Sequence, residues 1–295
     1  MIIAMPDVTC LVPGDALLGE GPVWDARENA LYWVDIKGPT IFRWTAGTGT
    51  TDCWTPPFQV ASIQPAATGG FIAGTQQGFA WVDPAAGRYE TIVQPETGRA
   101  GNRFNDGKLD RHGRFWAGTM DDAERAYSGG LYRLNAELTA TRIDDGYFVT
   151  NGPAFDRAGS RMYHTDSARQ SIFAFDLDTD GSVANKQVFA QFARGQGYPD
   201  GMTVDAEDCL WVAFWDGACV RRFAPDGNQI GEIALPVPRV TSCTFGGEDM
   251  ATLFVTTARI GLDADTHPLA GSIFSLRPGV AGIPDTPFAG RPATP

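Results

Sequence analysis

The sequence predicts an all-β fold, a six-bladed β-propeller, on three observations. Short runs rich in aromatic and β-branched residues recur along the chain, among them "ALYWVDI", "GFIAGT" and "CLWVAFW", with Gly, Pro, Asp and Asn between them. No long segment carries the 3.6-residue apolar period of a helix. The runs also repeat at a spacing of roughly 42 to 49 residues, the length of one four-stranded propeller blade.

The six units follow in order. The first opens at Glu20, in Glu20-Gly-Pro-Val-Trp-Asp25, and continues through "ALYWVD" and "TIFRW". The second is weaker and opens at Ser62 in "SIQPAATGGFIAGT", with "GFAWVD" after it. The third reads Asn105-Asp-Gly-Lys-Leu-Asp110, then "RFWAGT" and "GGLYRL". The fourth reads Asn151-Gly-Pro-Ala-Phe-Asp156, then "RMYHTD" and "SIFAFDL". The fifth reads Asp200-Gly-Met-Thr-Val-Asp205, then "CLWVAF" and "ACVRRF". The sixth, also weak, opens at Ser242 in "SCTFGGEDMATLFVTT" and ends in "GSIFSL". In four units a polar residue stands five positions before an Asp. Residues 1–295 therefore read as one propeller domain. The segments before Glu20 and after "GSIFSL" are the expected closure of the ring, sharing one blade.

The repeat also points to a site. The innermost strand of each blade lines the central channel, and symmetry gathers the six opening residues at one mouth. They are Glu20, Ser62, Asn105, Asn151, Asp200 and Ser242, all oxygen donors. Hard divalent cations take such ligands. Glu20, Asn151 and Asp200 are the candidate metal ligands, each followed by a Gly that lets the chain turn tightly. Taken singly these are ordinary turn residues; their common place in the ring carries the ligand reading.

Composition excludes several partners. A formal net charge of -12 gives no footprint for nucleic acid or an anionic membrane. Cys10, Cys53, Cys209, Cys219 and Cys243 are odd in number and form no CxxC, so reduced, mostly buried thiols are expected. The start of the chain does not read as a signal peptide, and no apolar run reaches about 18 residues, which points to a soluble, cytoplasmic protein. Ring closure removes most sheet edges and favours a monomer. No HExxH, Gly-x-Ser-x-Gly or Walker pattern occurs. Of the histidines, His112 falls in an exposed turn, His164 in a strand that either packs or faces the pocket, and His267 in a loop bordering the mouth. Segments 121–130 and 261–271 are longer than a hairpin needs and are candidate covers. Trp24, Trp116 and Trp211 read as blade core, with Phe104 and Tyr198 as candidate ligand contacts.

The stretches "GEGPVWD", "NRFNDGKLDRHGRFWAGTM", "TNGPAFD", "YPDGMTVDAEDCLWVAFWDG", "CTFGG" and "VTTARIGL…PLAGSIF", in this order over nearly the whole chain, resemble the gluconolactonase and regucalcin (senescence marker protein) family. The resemblance implies a six-bladed propeller with one divalent metal (calcium, iron(II), zinc, manganese or magnesium) at the channel mouth. It implies hydrolysis of a sugar lactone to the aldonic acid. The family's metal ligands fall on Glu20, Asn151 and Asp200, the set the repeat reaches independently, and its substrate-contacting Arg and Asn on Arg103 and Asn105. Asp106 lies in the same motif and is expected to support them. The family's acidic residue after "GTM" meets Ala123, between Asp122 and Glu124; Glu124 is taken as the substrate-binding carboxylate. The expected chemistry has the metal as Lewis acid on the lactone carbonyl and Asp200 as general base. Two other readings stay open: a calcium-binding regulatory propeller without catalysis, and a related propeller esterase or phosphotriesterase.

Overall fold

The computed structural model describes residues 7–291. They form six four-stranded antiparallel sheets and no helix. Numbered as blades 1 to 6 in chain order, the sheets begin with inner strands Gly19–Asp25, Val60–Pro65, Asn102–Leu109, Thr150–Phe155, Tyr198–Val204 and Val240–Gly246. Each inner strand packs on the next, and the first packs on the last, which closes the ring. The six opening residues of the repeat all lie on these strands.

Burial falls from the axis outward. In blade 1 every residue of the inner strand is buried, whereas the outer strand Thr50–Trp54 is almost wholly exposed. Aromatic residues join neighbouring blades. Trp24 stacks on Phe254 with ring centroids 5.6 Å apart, Phe79 meets Phe104 at 4.4 Å, and Trp211 meets Phe245 at 5.9 Å. Trp24, Trp116 and Trp211 are blade core, as expected. Phe104 is core too: it is 2% exposed and lies among Phe79, Phe115 and Tyr132, so it does not contact a ligand in the cavity.

The Asp that closes four of the units is a turn residue with a structural task. Asp110 Oδ1 accepts from the backbone N–H of His112 and Arg114, and its Oδ2 accepts from the indole of Trp116 at 2.8 Å. Asp205 repeats this with Glu207, Cys209 and Trp211. One carboxylate thus satisfies a hairpin and anchors the bulky strand that follows.

Each inner strand also carries one extra residue relative to its partner. Glu20 pairs with Val34 but Val23 with Tyr32, and corresponding shifts occur in the other five blades. Such bulges re-aim side chains. They fall where the strand passes the channel mouth.

The last blade is completed by the N-terminal strand Thr9–Val12, which pairs with Ile273–Leu276. The expectation that both ends share this blade is half met. The described residues after Leu276, 277–291, supply no strand to it and instead run along the end of the ring away from Glu20. Gly282 bridges to Asp205, and Phe288 bridges to Ala66 and is fully buried. The inner strands between the two ends carry buried polar side chains, among them Ser62, Gln64, Lys108 and Thr244.

Candidate active site

A cavity of about 460 Å³ opens at the N-terminal ends of the inner strands. Glu20, Asn105, Asn151 and Asp200 line it; Ser62 and Ser242 are buried and lie outside its wall. Four of the six symmetric donors thus reach the cavity. The backbone explains how the three candidate ligands point inward. Gly21 and Gly152 take positive φ (53° and 78°), conformations that side chains disfavour. Gly201 does not; it is needed because a Cβ there would stand 2.1 Å from Ser242 Oγ.

A hydrogen-bonded string fixes the polar wall. Lys37 Nζ donates to Asp122 Oδ1 at 2.6 Å, and Arg103 Nε donates to the same oxygen. Arg103 Nη1 donates to Asn105 Oδ1 at 2.6 Å. Asn105 Nδ2 donates to Asn151 Oδ1 at 3.0 Å, and Asn151 Nδ2 donates to Ser167 Oγ at 2.9 Å. The Ser167 hydroxyl donates to the Pro199 carbonyl, beside Asp200, at 2.6 Å. The string crosses blades 1, 3, 4 and 5 and sets the orientation of both amides. Lys37 is presented by a turn in which Asp35 accepts from the N–H groups of Leu17, Leu18, Lys37 and Gly38.

The expected substrate residues divide. Arg103, Asn105 and Glu124 line the cavity. Arg103 Nη2 makes no hydrogen bond among the described residues, which leaves a donor free. Asp106 is placed differently. It is not on the cavity wall; Oδ1 accepts from Gly107 N–H and Oδ2 from Gly152 N–H, both at 2.8 Å. It therefore braces the turn that carries Asn151. Asp122, next to the misaligned position, joins Lys37 to Arg103.

Electrostatics mark the carboxylates. Burial pushes Glu20 up to about 8, with the negative charge of Asp106 adding to it. Burial raises Asp200 well above the usual carboxylate range, and Glu20 raises it further. Asp106 is pushed up to about 6 by burial. Neither Glu20 nor Asp200 has an ion-pair partner among the described residues; Glu20 Oε2 accepts from Gly21 N–H at 3.0 Å. Two buried carboxylates facing one cavity without a direct ion-pair partner suit a cation. No three His, Cys, Asp or Glu side chains converge among the described residues. The third donor of a cation site would be the Asn151 amide, so the donor set fits the expected one.

The histidines contribute nothing to the wall. His164 is fully buried against Tyr147, with ring centroids 4.8 Å apart, and burial pushes its imidazole down to about 3. Tyr198 stands at the mouth, 42% exposed. Segment 121–130 is tied down: Arg99 and Asn102 donate to the Ser128 carbonyl and Tyr127 packs on Phe148. Lys37, Trp215, Arg239 and Ile260 line the cavity without a sequence signal. Lys37, Arg239 and Ile260 stand in connections between strands, and Trp215 ends the strand Leu210–Trp215.

Residues 18–259 match the family model described as SMP-30/Gluconolactonase/LRE-like region. The chain belongs to this family. Within it, the chain is 36% identical to 6-deoxy-6-sulfogluconolactonase of Pseudomonas putida over 285 residues, covering 95% of this chain and 98% of the relative. It is 35% identical to regucalcin of Gallus gallus, covering 96% and 98%. Among solved structures, a calcium-binding regucalcin from Agrobacterium tumefaciens superposes with a TM-score of 0.90 at 27% identity, covering 97% of each chain. The family match confirms the sequence resemblance, and the neighbour shares the six-bladed ring.

Proposed function

We propose that this member of the SMP-30/gluconolactonase family hydrolyses a sugar lactone to the corresponding aldonic acid. The observation that carries the reading is the meeting, in one cavity, of Glu20, Asn151 and Asp200 with Arg103, Asn105 and Glu124. A relative named 6-deoxy-6-sulfogluconolactonase supports the substrate class. A divalent cation held by Glu20, Asn151 and Asp200 would supply Lewis-acid polarisation of the lactone carbonyl. Calcium is the first to test, because the neighbouring structure is named as calcium-binding; iron(II), zinc, manganese and magnesium also suit the oxygen donors.

The chain's own residues divide the work. Asp200, on the cavity wall with Glu20, takes the proton of the attacking water, and the ring oxygen gains a proton as the ester C–O bond breaks. Arg103, through its free Nη2, and Glu124 hold the sugar's oxygens and fix the ring relative to the carboxylates. Asn105, on the cavity wall, holds Asn151 in place through Nδ2 and is itself held by Arg103. We further propose that the protein works as a cytoplasmic monomer.

The test is acid release from a panel of pentono- and hexono-lactones, before and after chelation and with each metal restored. Opening above the spontaneous rate that falls on chelation supports the scheme. Full activity in metal-free protein sinks the metal's part. No opening of any lactone alongside tight calcium binding supports the regulatory reading that the regucalcin relatives bring to mind.

A further inference from the structure

The cavity wall carries three cationic side chains, Lys37, Arg103 and Arg239. Lys37 and Arg103 share Asp122 as counter-charge. Arg239 is held in another way. Its Nε donates to Asp216 Oδ1 at 3.2 Å. Its guanidinium carbon lies 4.7 Å from the centroid of the Trp215 ring. Gly261 makes room beside it, since a Cβ there would stand 2.7 Å from Nη1. Nη1 and Nη2 have no acceptor among the described residues. One edge is pinned, one face is stacked, and the paired N–H groups of the fork are unspent. The side chain is only 20% exposed, so it is not a loose surface arginine. A fork ordered in advance binds an anionic oxygen pair with little further entropy cost.

Its place in the ring says which end of a ligand it meets. Arg239 immediately precedes the inner strand of blade 6, Val240–Gly246. Arg103 and Asn105 stand on the inner strand of blade 3, Asn102–Leu109. In a ring of six these blades are opposite, and Glu124 also belongs to the blade 3 side. A ligand held at one end by Arg103 and Asn105 offers its other end to Arg239.

We propose that Arg239 recognises an acidic substituent on the substrate carbon remote from the lactone carbonyl, making anionic sugar lactones the favoured substrates. This rests on the lactonase reading and adds the residue that chooses among lactones. The probes are D-glucono-1,4-lactone and D-glucaro-1,4-lactone, which differ only in a terminal hydroxymethyl or carboxylate group. kcat and KM are measured for both with the full chain, Arg239→Gln and Arg239→Lys. In Arg239→Gln the kcat/KM ratio of the glucaro- to the glucono-lactone falls about tenfold, through KM, the value of one hydrogen-bonded charge. Arg239→Lys recovers part of the ratio, because it keeps the charge and loses the fork. An unchanged ratio in Arg239→Gln overturns the inference and leaves the lactonase reading standing. If that variant does not fold, the Lys variant decides by the same ratio: a fall supports the inference and an unchanged value overturns it. Failure of the unaltered chain to open either lactone overturns the lactonase reading and this inference with it.

Discussion

At the scale of single residues, Glu20 and His164 show opposite uses of burial. Glu20 is buried beside Asp106 and Asp200 without a paired cation, so its charge is costly until one arrives. Glu20→Gln is expected to keep the fold, weaken divalent-cation binding by about tenfold or more, and slow lactone opening. Metal titration monitored by thermal midpoint, with acid release alongside, checks this; unchanged values in both would return Glu20 to a turn residue. His164 is neutral in the fold and pushed down to about 3, while an unfolded chain titrates it near the ordinary 6.5. Between those values the unfolded chain binds the extra proton, so stability falls as pH drops from 6.5 toward 3, by about 1.4 kcal/mol per pH unit from this group. His164→Phe keeps a ring against Tyr147 and should flatten that limb of the stability curve. Parallel urea-unfolding curves for the two proteins between pH 7.5 and 4.5 would contradict it. The candidate ligands and Asn105 were placed at the channel mouth because each opens a repeat, whereas Arg103 was named only through the family resemblance of "NRFNDG". Lys37 and Arg239 were legible in neither way, since they belong to connections that the repeat does not constrain.

At the scale of elements, the inner strands were legible as strands and not as bulged strands. Alternation of apolar residues marks a strand, but one extra residue breaks the count and reassigns the side chains next to it. Phe104 was expected at the ligand because it flanks Arg103 and Asn105, but alternation up to the shift that follows it puts it on the face opposite both, in the core between blades 2 and 3. The repeated Asp was visible in the sequence, but its partner indole became clear only when Trp116 and Trp211 were placed above it. The same strands approach each other so closely that substitution is costly. Gly201→Ala would put a Cβ 2.5 Å from Ser242 Cβ as well as against its hydroxyl. It is expected to lower stability by about 1–3 kcal/mol, the cost of overpacking, and to displace Asp200. Denaturant midpoints measure the first effect and cation affinity the second; a variant as stable as the parent would contradict the close approach.

At the scale of the whole molecule, ring closure depends on the pairing of Thr9–Val12 with Ile273–Leu276. A chain beginning at Pro13 would leave blade 6 with three strands and an open edge. Its thermal midpoint is expected to fall by about 10 °C or more, with loss of cation binding only as the ring opens. A midpoint within a degree or two of the parent would show that closure does not depend on this strand. The six units and their order were legible because four-stranded blades repeat at a nearly constant length. The course of residues 277–291 was not, because Pro and Gly interrupt them and no period ties Phe288 to its burial site against Trp81.

That C-terminal course bears on traffic. The described C-terminal residues cross the far end of the ring, and Ser62, Gln64, Lys108 and Thr244 are buried on the inner strands, so the natural way in and out is the mouth beside Tyr198. On the lactonase reading, the acid formed inside must back out past the next molecule coming in. Because that acid carries a fresh negative charge, it lingers among the same cationic groups that admitted its parent. Competitive inhibition by the aldonic acid, weakening as salt is raised, is the kinetic trace such a one-way-in, same-way-out vessel leaves.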